Sequence, residues 1–288
     1  MRLVISHHPG GAELISNYIN YKKIKCKFLL SGPAKKIFKK NLKNFESLKS
    51  KDLIKNLPNI KEVFFSSGIE KNYEIKYLNF FKEKKIKTIT FIDHWAYYKE
   101  RFVYKKKYIY PDEIWTFDKF AFKKAKKLFN LKIRLIKNFY LEKIKKKYSE
   151  YIKSDKYLLF VSQPLKEQSF YWKKRIRYDQ FKAFNFFLKK KHLIKCNSTK
   201  ILIKIHPLEN LKNWENLKSN ISNKQNFKIT QNKNLPLLFS KAEAVIGCAS
   251  TLMSVSFLLG IKTFCAIPPN GKKNNLPFKK IKYLRYIR

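Results

Sequence analysis

Short apolar runs alternate with helical periodicity along the whole chain. Thr88–Ile92 and Tyr157–Val161 are five-residue runs rich in apolar side chains, which is typical of strands buried on both faces of a parallel sheet. Tyr73, Tyr77 and Phe81 recur every four residues in the stretch before Thr88–Ile92, the spacing of one face of a helix. This alternation predicts βα units, because parallel strands need a helical crossover between them.

The pattern of strands and helices starts again in the second half of the chain. A polar, charged helix is predicted over residues 141–153, and the apolar run Tyr157–Val161 follows it. The chain has 288 residues, more than the roughly 100–200 residues of one typical domain. We therefore expect an α/β protein with two Rossmann-like domains that face a cleft, residues 1–145 and 146–288.

Lysine dominates the charge of the chain. Lys and Arg total 65 residues against 20 of Asp and Glu, a formal net charge of +45. Only seven of the 65 are arginine, whereas nucleic-acid readers and phosphate clamps rely on the planar guanidinium fork. We interpret the charge as a lysine-coated surface that attracts anions, such as nucleotides, acidic glycans or anionic membrane lipid.

Several familiar motifs are missing from the sequence. It contains no CxxC, HExxH, GxSxG or DxD, so zinc-ribbon, metalloprotease and serine-hydrolase functions have no support. The four cysteines are scattered, and we expect reduced, mostly buried thiols. Strand-like sequence starts at the first residues, and no apolar run approaches the roughly 20 residues of a membrane span. We expect a cytoplasmic protein that uses no metal and no cofactor.

Reactive side chains collect at the ends of predicted strands. Four of the five histidines lie there, together with an aspartate and two hydroxyl side chains. The full set is His7, His8, Asp93, His94, His206, Ser250 and Thr251. In open parallel sheets, ligands bind beyond the carboxyl ends of the strands. The sequence therefore predicts a functional site at this edge of the sheets.

The turn from Gly247 to Thr251 is the best-defined element. A buried strand ends at Gly247, and a helix begins near Ser250. The N–H groups of a helix N-terminus and its positive dipole end form an anion site, and the Ser250 and Thr251 hydroxyls can add donors to a phosphate. Alternatively, Ser250 is an ordinary N-cap residue.

His206-Pro207 closes another predicted strand. A histidine at this position can donate a hydrogen bond to a phosphate oxygen or protonate it as it departs. The alternative is a structural histidine beside a proline that ends the strand. Because the His206 and Ser250 segments follow strands of the same domain, both are expected on the same edge.

A carboxylate and an imidazole leave the apolar strand Thr88–Ile92 as Asp93-His94-Trp95. Such groups are costly beside a core unless they are paired or used. Asp93 could act as a general base for an acceptor hydroxyl or orient His94, while Trp95 could stack on a sugar or a base. Arg101 belongs to the same stretch. Alternatively, Asp93 caps a turn among core aromatic residues.

The turn His8-Pro9-Gly10-Gly11 follows the first strand. Its glycines allow the backbone to approach a ligand closely, but the pattern is neither GxGxxG nor a Walker loop. Glu13 follows on the first helical turn, where it is either a second general base or an acid favoured by the helix dipole.

The pairing of His206-Pro207 with a downstream Ser250-Thr251 at the start of a helix resembles bacterial glycosyltransferases of the GT-B architecture. The pattern is most similar to capsule and lipopolysaccharide sialyltransferases and polysialyltransferases, and more loosely to Kdo transferases and glycerophosphotransferases. The resemblance implies that His206 and the Ser250-Thr251 pair hold the phosphate of a CMP-linked donor. It also implies a donor side at residues 146–288 and an acceptor side at 1–145.

We expect an inverting, metal-independent transfer from a nucleotide sugar to a surface-polysaccharide or lipopolysaccharide acceptor. Asp93, aided by His94, would deprotonate the acceptor, with Glu13 in reserve. The lysine-rich surface is compatible with peripheral contact at the inner face of the cytoplasmic membrane. Two other hypotheses stay open: a nucleotide-sugar 2-epimerase of the same architecture, and a lysine-rich nucleic-acid-binding protein.

Overall fold

The chain forms two compact units in a computed structural model, Met1–Glu142 and Lys143–Arg288. The structure describes residues 1–42, 45–68, 72–152, 156–172, 177–220, 227–274 and 276–287. The boundary between the units falls within the helix Phe139–Glu150. Unit 1 and unit 2 denote these two parts below.

Unit 1 alternates strands with helices. Its strands are β1 Arg2–Ser6, β2 Cys26–Leu30, β3 Glu46–Ser47, β4 Glu62–Phe65, β5 Lys87–Phe91, β6 Val103–Tyr104, β7 Lys107–Tyr108, β8 Glu113–Thr116 and β9 Lys132–Leu135. Its helices are α1 Pro9–Lys22, α2 Pro33–Asn41, α3 Leu53–Asn56, α4 Tyr73–Glu83, α5 Lys119–Leu128 and α6 Phe139–Glu150, the last of which crosses into unit 2. Short 3-10 turns occur at Ser50–Asp52, Leu57–Asn59 and Glu100–Phe102.

The sheet of unit 1 has the strand order β3-β2-β1-β4-β5-β8-β9. Every pairing in it is parallel, while β6 and β7 form a separate antiparallel hairpin. An order that starts at a central strand and then winds outward in both directions is that of the Rossmann fold. Both faces of the sheet are covered: Leu3 and Ile5 of β1 pack into one core cluster, and Val4 between them packs into the other.

Local sequence explains where helices of unit 1 begin. α1 starts with Pro9, whose missing N–H costs nothing at the first helical position. α5 starts after Asp118, whose Oδ1 accepts a hydrogen bond from the N–H of Ala121 at 2.7 Å, the usual N-cap arrangement. α5 then buries Ala121 and Ala125, while Lys119, Lys123, Lys126 and Lys127 are exposed.

Unit 2 repeats the arrangement. Its strands are β10 Tyr157–Val161, β11 Ile201–Lys204, β12 Phe227–Thr230, β13 Ala242–Gly247, β14 Lys262–Cys265 and β15 Lys282–Tyr283. Its helices are α7 Leu165–Trp172, α8 Gln180–Lys190, α9 Leu211–Asn220, α10 Leu235–Ser240 and α11 Thr251–Leu258, with 3-10 turns at Lys191–Leu193 and Leu284–Tyr286.

The sheet of unit 2 is also parallel, in the order β12-β11-β10-β13-β14-β15. Phe160 of β10 anchors an aromatic core on one side of it. Its ring centroid lies 5.1 Å from that of Phe184, 5.8 Å from that of Phe187 and 6.3 Å from that of Trp214. Each unit therefore has its own core and the Rossmann strand order, which confirms the prediction of an α/β protein with two Rossmann-like domains. Within the described part of the chain, no helix has the length and apolarity to cross a membrane.

The elements missing from the sequence prediction are mostly short. β1, β2, β10, β12 and α10 have the bounds that the sequence predicts, and the other predicted strands differ by a residue or two at their ends. The sequence did not suggest β3, the β6-β7 hairpin, α3, β9, α7 or β15. β3, β6, β7 and β15 span two residues each. Two residues are too few to show the alternation of apolar and polar side chains that predicts a strand, so these strands can be recognised only by their pairing with a neighbour. α1 also begins earlier than predicted, at Pro9.

Candidate functional site

The carboxyl edge of the unit 2 sheet brings together three loops. β11, β10 and β13 are consecutive in the sheet, and they are followed by His206, Gln163 and Cys248, respectively, within two residues. Neighbouring strands lie about 4.8 Å apart, so the ends of β11 and β13 are separated by about 10 Å. The histidine segment and the Ser250 turn therefore share one edge, as the sequence indicated.

His206 is held as a neutral hydrogen-bond donor. Its Nδ1 accepts the N–H of Leu208 at 3.2 Å, which leaves the proton of the neutral ring on Nε2. Burial, with a smaller effect from Lys204, lowers the pKa of His206 to about 4. Near neutral pH the ring is therefore uncharged, and it can donate from Nε2. Pro207, which follows it, is exposed.

Glu209 organises the His206 loop, although sequence reasoning did not single it out. Its carboxylate accepts the N–H of His206 at 2.5 Å, the Ser162 hydroxyl at 2.6 Å and the indole N–H of Trp214 at 3.3 Å. Burial raises the pKa of Glu209, while these donors act in the opposite direction. The carboxylate ties the ends of β10 and β11 to the start of α9.

The β13–α11 turn has little room for side chains at its start. A Cβ atom on Gly247 would lie 2.7 Å from Val161 Cγ2 and 2.9 Å from the Val161 carbonyl oxygen, so only glycine fits. Ser250 is the N-cap of α11, and its Oγ accepts the N–H of Leu252 at 3.2 Å. The N-cap interpretation of Ser250 is thus seen directly, while Thr251 is exposed at the first helical position.

The carboxyl edge of the unit 1 sheet is organised by a second buried carboxylate. β1, β4 and β5 are neighbours, and Glu74 of α4 reaches the loops that follow β1 and β4. One of its oxygens accepts the N–H of His7 at 2.8 Å, the N–H of His8 at 3.1 Å and the Ser66 hydroxyl at 2.7 Å. Its other oxygen lies 4.0 Å from His8 Nε2. Glu74 was not among the predicted site residues.

Asp93 is paired with Arg101. Arg101 Nη1 donates to Asp93 Oδ1 at 2.8 Å, to the Ser67 carbonyl at 2.8 Å and to the Ser67 hydroxyl at 2.9 Å. The second carboxylate oxygen, Oδ2, faces α1, where a Cβ on Gly10 would approach it to 2.1 Å. Gly11 is similarly close to Ser66, with 2.5 Å from its built Cβ to Ser66 Cβ. Both glycines therefore permit the close contact of α1 with the edge, a tertiary role that the sequence left open.

Glu74, Arg101 and the loop from Ser66 to Gly68 also line a small cavity. Its volume is about 10 Å³, the space of about one water molecule. Thr90 belongs to the same lining, and its Oγ1 has no hydrogen-bond partner. The unit 1 edge thus contains a closely packed polar network around this cavity.

His94 and Trp95 take separate roles beside Asp93. His94 Nδ1 accepts the N–H of Ala96 at 3.2 Å, and burial lowers the pKa of His94 in spite of the opposing effect of Asp93. No hydrogen bond joins His94 to Asp93 in the described part of the chain. Trp95 is buried, and its indole N–H donates to Asp118 Oδ2 at 2.9 Å, so it supports the start of α5.

His8 and Glu13 lie at the start of α1 and in its second turn, respectively. His8 is the N-cap residue of α1, and its ring lies against Gly68, where a built Cβ would be only 1.7 Å away. Because α1 begins at Pro9, Glu13 lies beyond the first turn, contrary to the prediction. Its Oε2 accepts the Asn41 amide at 2.8 Å and the Asn17 amide at 3.3 Å.

Two Rossmann-type units in one chain are the architecture of the GT-B fold. Solved structures of this kind include UDP-GlcNAc 2-epimerase from Methanocaldococcus jannaschii, with 15% identity and a TM-score of 0.57 over 92% of this chain and 83% of that chain. UDP-GlcNAc 2-epimerase from Neisseria meningitidis bound to UDP-GlcNAc has 10% identity and a TM-score of 0.60 over 92% and 82%. MurG of Acinetobacter baumannii has 10% identity and a TM-score of 0.50 over 94% and 79%. At these identities the likeness shows the fold alone.

The family is shown by the sequence itself. The model of the family described as Alpha-2,8-polysialyltransferase (POLYST) matches residues 3–267. The chain belongs to this family, and the protein is a glycosyltransferase. No curated protein sequence matches the chain. The resemblance inferred from His206-Pro207 and Ser250-Thr251 is thereby confirmed, together with the enzyme class, while the roles of the individual site residues remain predictions.

Proposed function

We propose that the protein transfers a sugar from a CMP-linked donor to a surface-polysaccharide or lipopolysaccharide acceptor, with inversion and without a metal ion or cofactor. Membership in a polysialyltransferase family supports a sialic-acid-type sugar, and such sugars are activated as CMP conjugates. A nucleotide-sugar donor is also in keeping with the fold, since a structure of this fold was solved with UDP-GlcNAc. The lysine-rich composition supports work at the inner face of the cytoplasmic membrane.

One observation carries the donor assignment: His206 and the Ser250-Thr251 helix start follow strands β11 and β13, whose ends lie on the same edge of one sheet, about 10 Å apart. The neutral His206 donates from Nε2, and α11 offers its N-terminal N–H groups and the Thr251 hydroxyl. Donors aimed at the departing phosphate stabilise the charge that develops there without needing a proton. With a pKa of about 4, His206 is better suited to donate a hydrogen bond than to protonate the leaving group.

Asp93 is the proposed base for the acceptor. Arg101 holds one of its oxygens at 2.8 Å, which fixes the carboxylate, while Oδ2 accepts the proton of the acceptor hydroxyl. The acceptor oxygen forms its bond to the anomeric carbon as the bond from that carbon to the phosphate oxygen breaks, so CMP leaves and the configuration inverts. His94 flanks the base, and Glu13 is the reserve base, held by Asn41.

The donor class is tested by measuring thermal shifts with CMP, CDP, UDP and GDP. A nucleotide that binds only the folded protein raises its apparent stability, by about 2.7 kcal/mol at 100 times Kd. We expect CMP to give the largest shift and His206→Ala to reduce that shift. A matched control is His192→Ala, which changes an exposed histidine remote in sequence from the strand ends. A larger shift with UDP than with CMP would contradict the donor assignment.

Transfer itself is tested with CMP-linked sugars and oligosaccharide acceptors. We expect the product to carry the inverted linkage, activity to persist with EDTA, and Asp93→Asn and His206→Ala to lose activity. If both variants retain full transfer, the residue assignment is wrong.

A second candidate function is 2-epimerisation of a free nucleotide sugar, which the fold of the two epimerases favours. An epimerase interconverts its substrate without any acceptor. Incubation with UDP-GlcNAc alone, followed by chromatography of the nucleotide sugars, separates the two functions. We expect no epimer to form.

A further inference from the structure

The peptide bond between Cys248 and Ala249 is held on both sides by side-chain amides. Asn274 Nδ2 donates to the Cys248 carbonyl oxygen at 2.8 Å. Gln163 Oε1 accepts the N–H of Ala249 at 2.6 Å. The carbonyl and the N–H belong to the same peptide unit, so two residues that are far apart in the sequence fix the orientation of a single peptide plane.

This peptide lies at a sensitive position. It follows Gly247, where the absence of a Cβ gives the backbone unusual freedom, and it precedes Ser250, the N-cap of α11. Rotation of the peptide plane would redirect the N–H groups that lead into the helix. The pairing of Gly247 with Val161 and Cys265 in the sheet restrains the turn on one side, and the two amides restrain it on the other.

Each amide is itself held in position. Gln163 follows Ser162, whose hydroxyl is bound by Glu209 at 2.6 Å, so it is anchored to the His206 loop. Asn274 donates its backbone N–H to the Tyr283 hydroxyl at 3.1 Å, and its Oδ1 accepts the N–H of Leu276 at 3.2 Å. Preorganised contacts of this kind hold a site without ordering cost when the ligand arrives.

The segment that carries Asn274 is fastened to the end of β14. Nη1 of Arg285 donates to the carbonyl oxygens of Pro268 at 3.0 Å and Gly271 at 2.6 Å, and β15 pairs in parallel with β14. The family model ends at residue 267, so this fastening is a feature of the chain beyond the matched region. Residues beyond 267 thus supply unit 2 with the edge strand β15 and with Asn274, one of the two amides that hold the Cys248–Ala249 peptide; these two amides are called the clamp below.

We propose that Gln163 and Asn274 are positioning residues for the phosphate of the nucleotide-sugar donor, acting through the Cys248–Ala249 peptide. This rests on the proposed function, since it takes the start of α11 as the phosphate site. Gln163 also couples that turn to the loop of His206, so the clamp keeps the two phosphate-binding elements in register across β10.

The test uses neutral substitutions of similar size in the full chain. Gln163→Met and Asn274→Leu remove the hydrogen bonds without adding a charge near the phosphate. Asn270→Leu is the matched control, because Asn270 lies in the same segment and, among the described residues, its amide donates to the Arg177 carbonyl, at 3.4 Å, rather than to the Cys248–Ala249 peptide. CMP affinity is measured by calorimetry, the KM for the CMP-linked donor and kcat by kinetics, and exchange of the Ala249 amide by NMR.

We expect each clamp variant to weaken CMP binding about 10-fold, a loss that corresponds to one hydrogen-bond-sized interaction. KM for the donor should rise more than kcat falls, and the Ala249 amide should exchange faster. The double variant should lose less than the product of the two single losses, because both act on one peptide. Asn270→Leu should match the wild type within about twofold.

Two results overturn the inference. One is wild-type CMP affinity in both clamp variants; the other is an Ala249 amide that exchanges no faster in Gln163→Met than in the wild type. The amide measurement needs no nucleotide, so it distinguishes this failure from failure of the proposed function. If the wild type binds no nucleotide while the amide still exchanges faster in the variants, the clamp exists but serves no donor phosphate, and the proposal is overturned together with the donor site.

Discussion

Replacing Asp93 with asparagine removes one charge from a buried ion pair while keeping the shape of the side chain. The Arg101 side chain is 6% exposed and that of Asp93 is 17% exposed. Removing one partner of a buried pair typically costs about 3–5 kcal/mol, because the other charge stays buried. Arg101 retains the Ser67 carbonyl and hydroxyl and the Ala96 carbonyl as acceptors. We therefore expect a loss near the lower end, about 3 kcal/mol.

The assay is urea unfolding of the full chain at 25 °C, followed by tryptophan fluorescence and circular dichroism. Because each unit has its own core, we expect two unfolding transitions and a shift in that of unit 1. Arg101→Met and the double variant complete a double-mutant cycle, in which the pair should show a coupling energy of about 1–3 kcal/mol. A change below about 0.5 kcal/mol for Asp93→Asn, the size of an ordinary surface substitution, would refute the reasoning.

The same variant separates the structural role of Asp93 from its proposed catalytic role. Transfer should fall by about 10²–10⁴-fold, the usual contribution of a general base, at a temperature at which the variant is fully folded. Arg101→Met removes the charge partner but keeps the carboxylate, so it should lose much less activity than Asp93→Asn. Equal losses in the two variants would show that the pair only maintains the fold.

Three further predictions concern single residues. Gly247→Ala should lower the free energy of unfolding by about 2 kcal/mol through overpacking, because the added Cβ would lie 2.9 Å from the Val161 carbonyl oxygen. Chemical denaturation measures this loss, and an unchanged stability would contradict the steric argument. Glu74→Ala should lower the free energy of unfolding by about 3 kcal/mol and Glu74→Gln by about 1 kcal/mol, because only glutamine keeps an acceptor for the His8 N–H. Equal losses in the two variants would show that this acceptor is unimportant for stability. Burial lowers the pKa of His206 from its ordinary 6.5 to about 4, so its contribution to stability is complete above pH 6.5 and is lost as the pH falls toward 4. The free energy of unfolding of His206→Gln, measured between pH 4 and 7, should therefore depend less steeply on pH than that of the wild type. An unchanged slope would refute the assigned pKa.

Sequence alone was sufficient for the architecture. Runs such as Tyr157–Val161 alternate with amphipathic helices, and that pattern is a local property that parallel α/β sheets impose on their sequence. The edge on which His206 and Ser250 lie followed from the same pattern, because parallel strands all end at one side of the sheet. The motif His206-Pro207 with Ser250-Thr251 also pointed to the family that matches residues 3–267.

Tertiary structure alone revealed the residues that hold the site together. These residues belong to no sequence motif, and each has hydrogen-bond partners on other elements; they are Glu74, Glu209, Gln163 and Asn274. The Ser162 hydroxyl, for example, is bound by Glu209, 47 residues away. Buried carboxylates could be recognised only once their backbone donors were in place, since on the sequence they resemble the exposed acids around them. The pairing of Asp93 with Arg101 was equally hidden, because the chain between them folds back on itself through irregular turns. Periodicity reports which face of an element is buried, whereas a hydrogen bond between distant loops depends on the register of the strands that precede them.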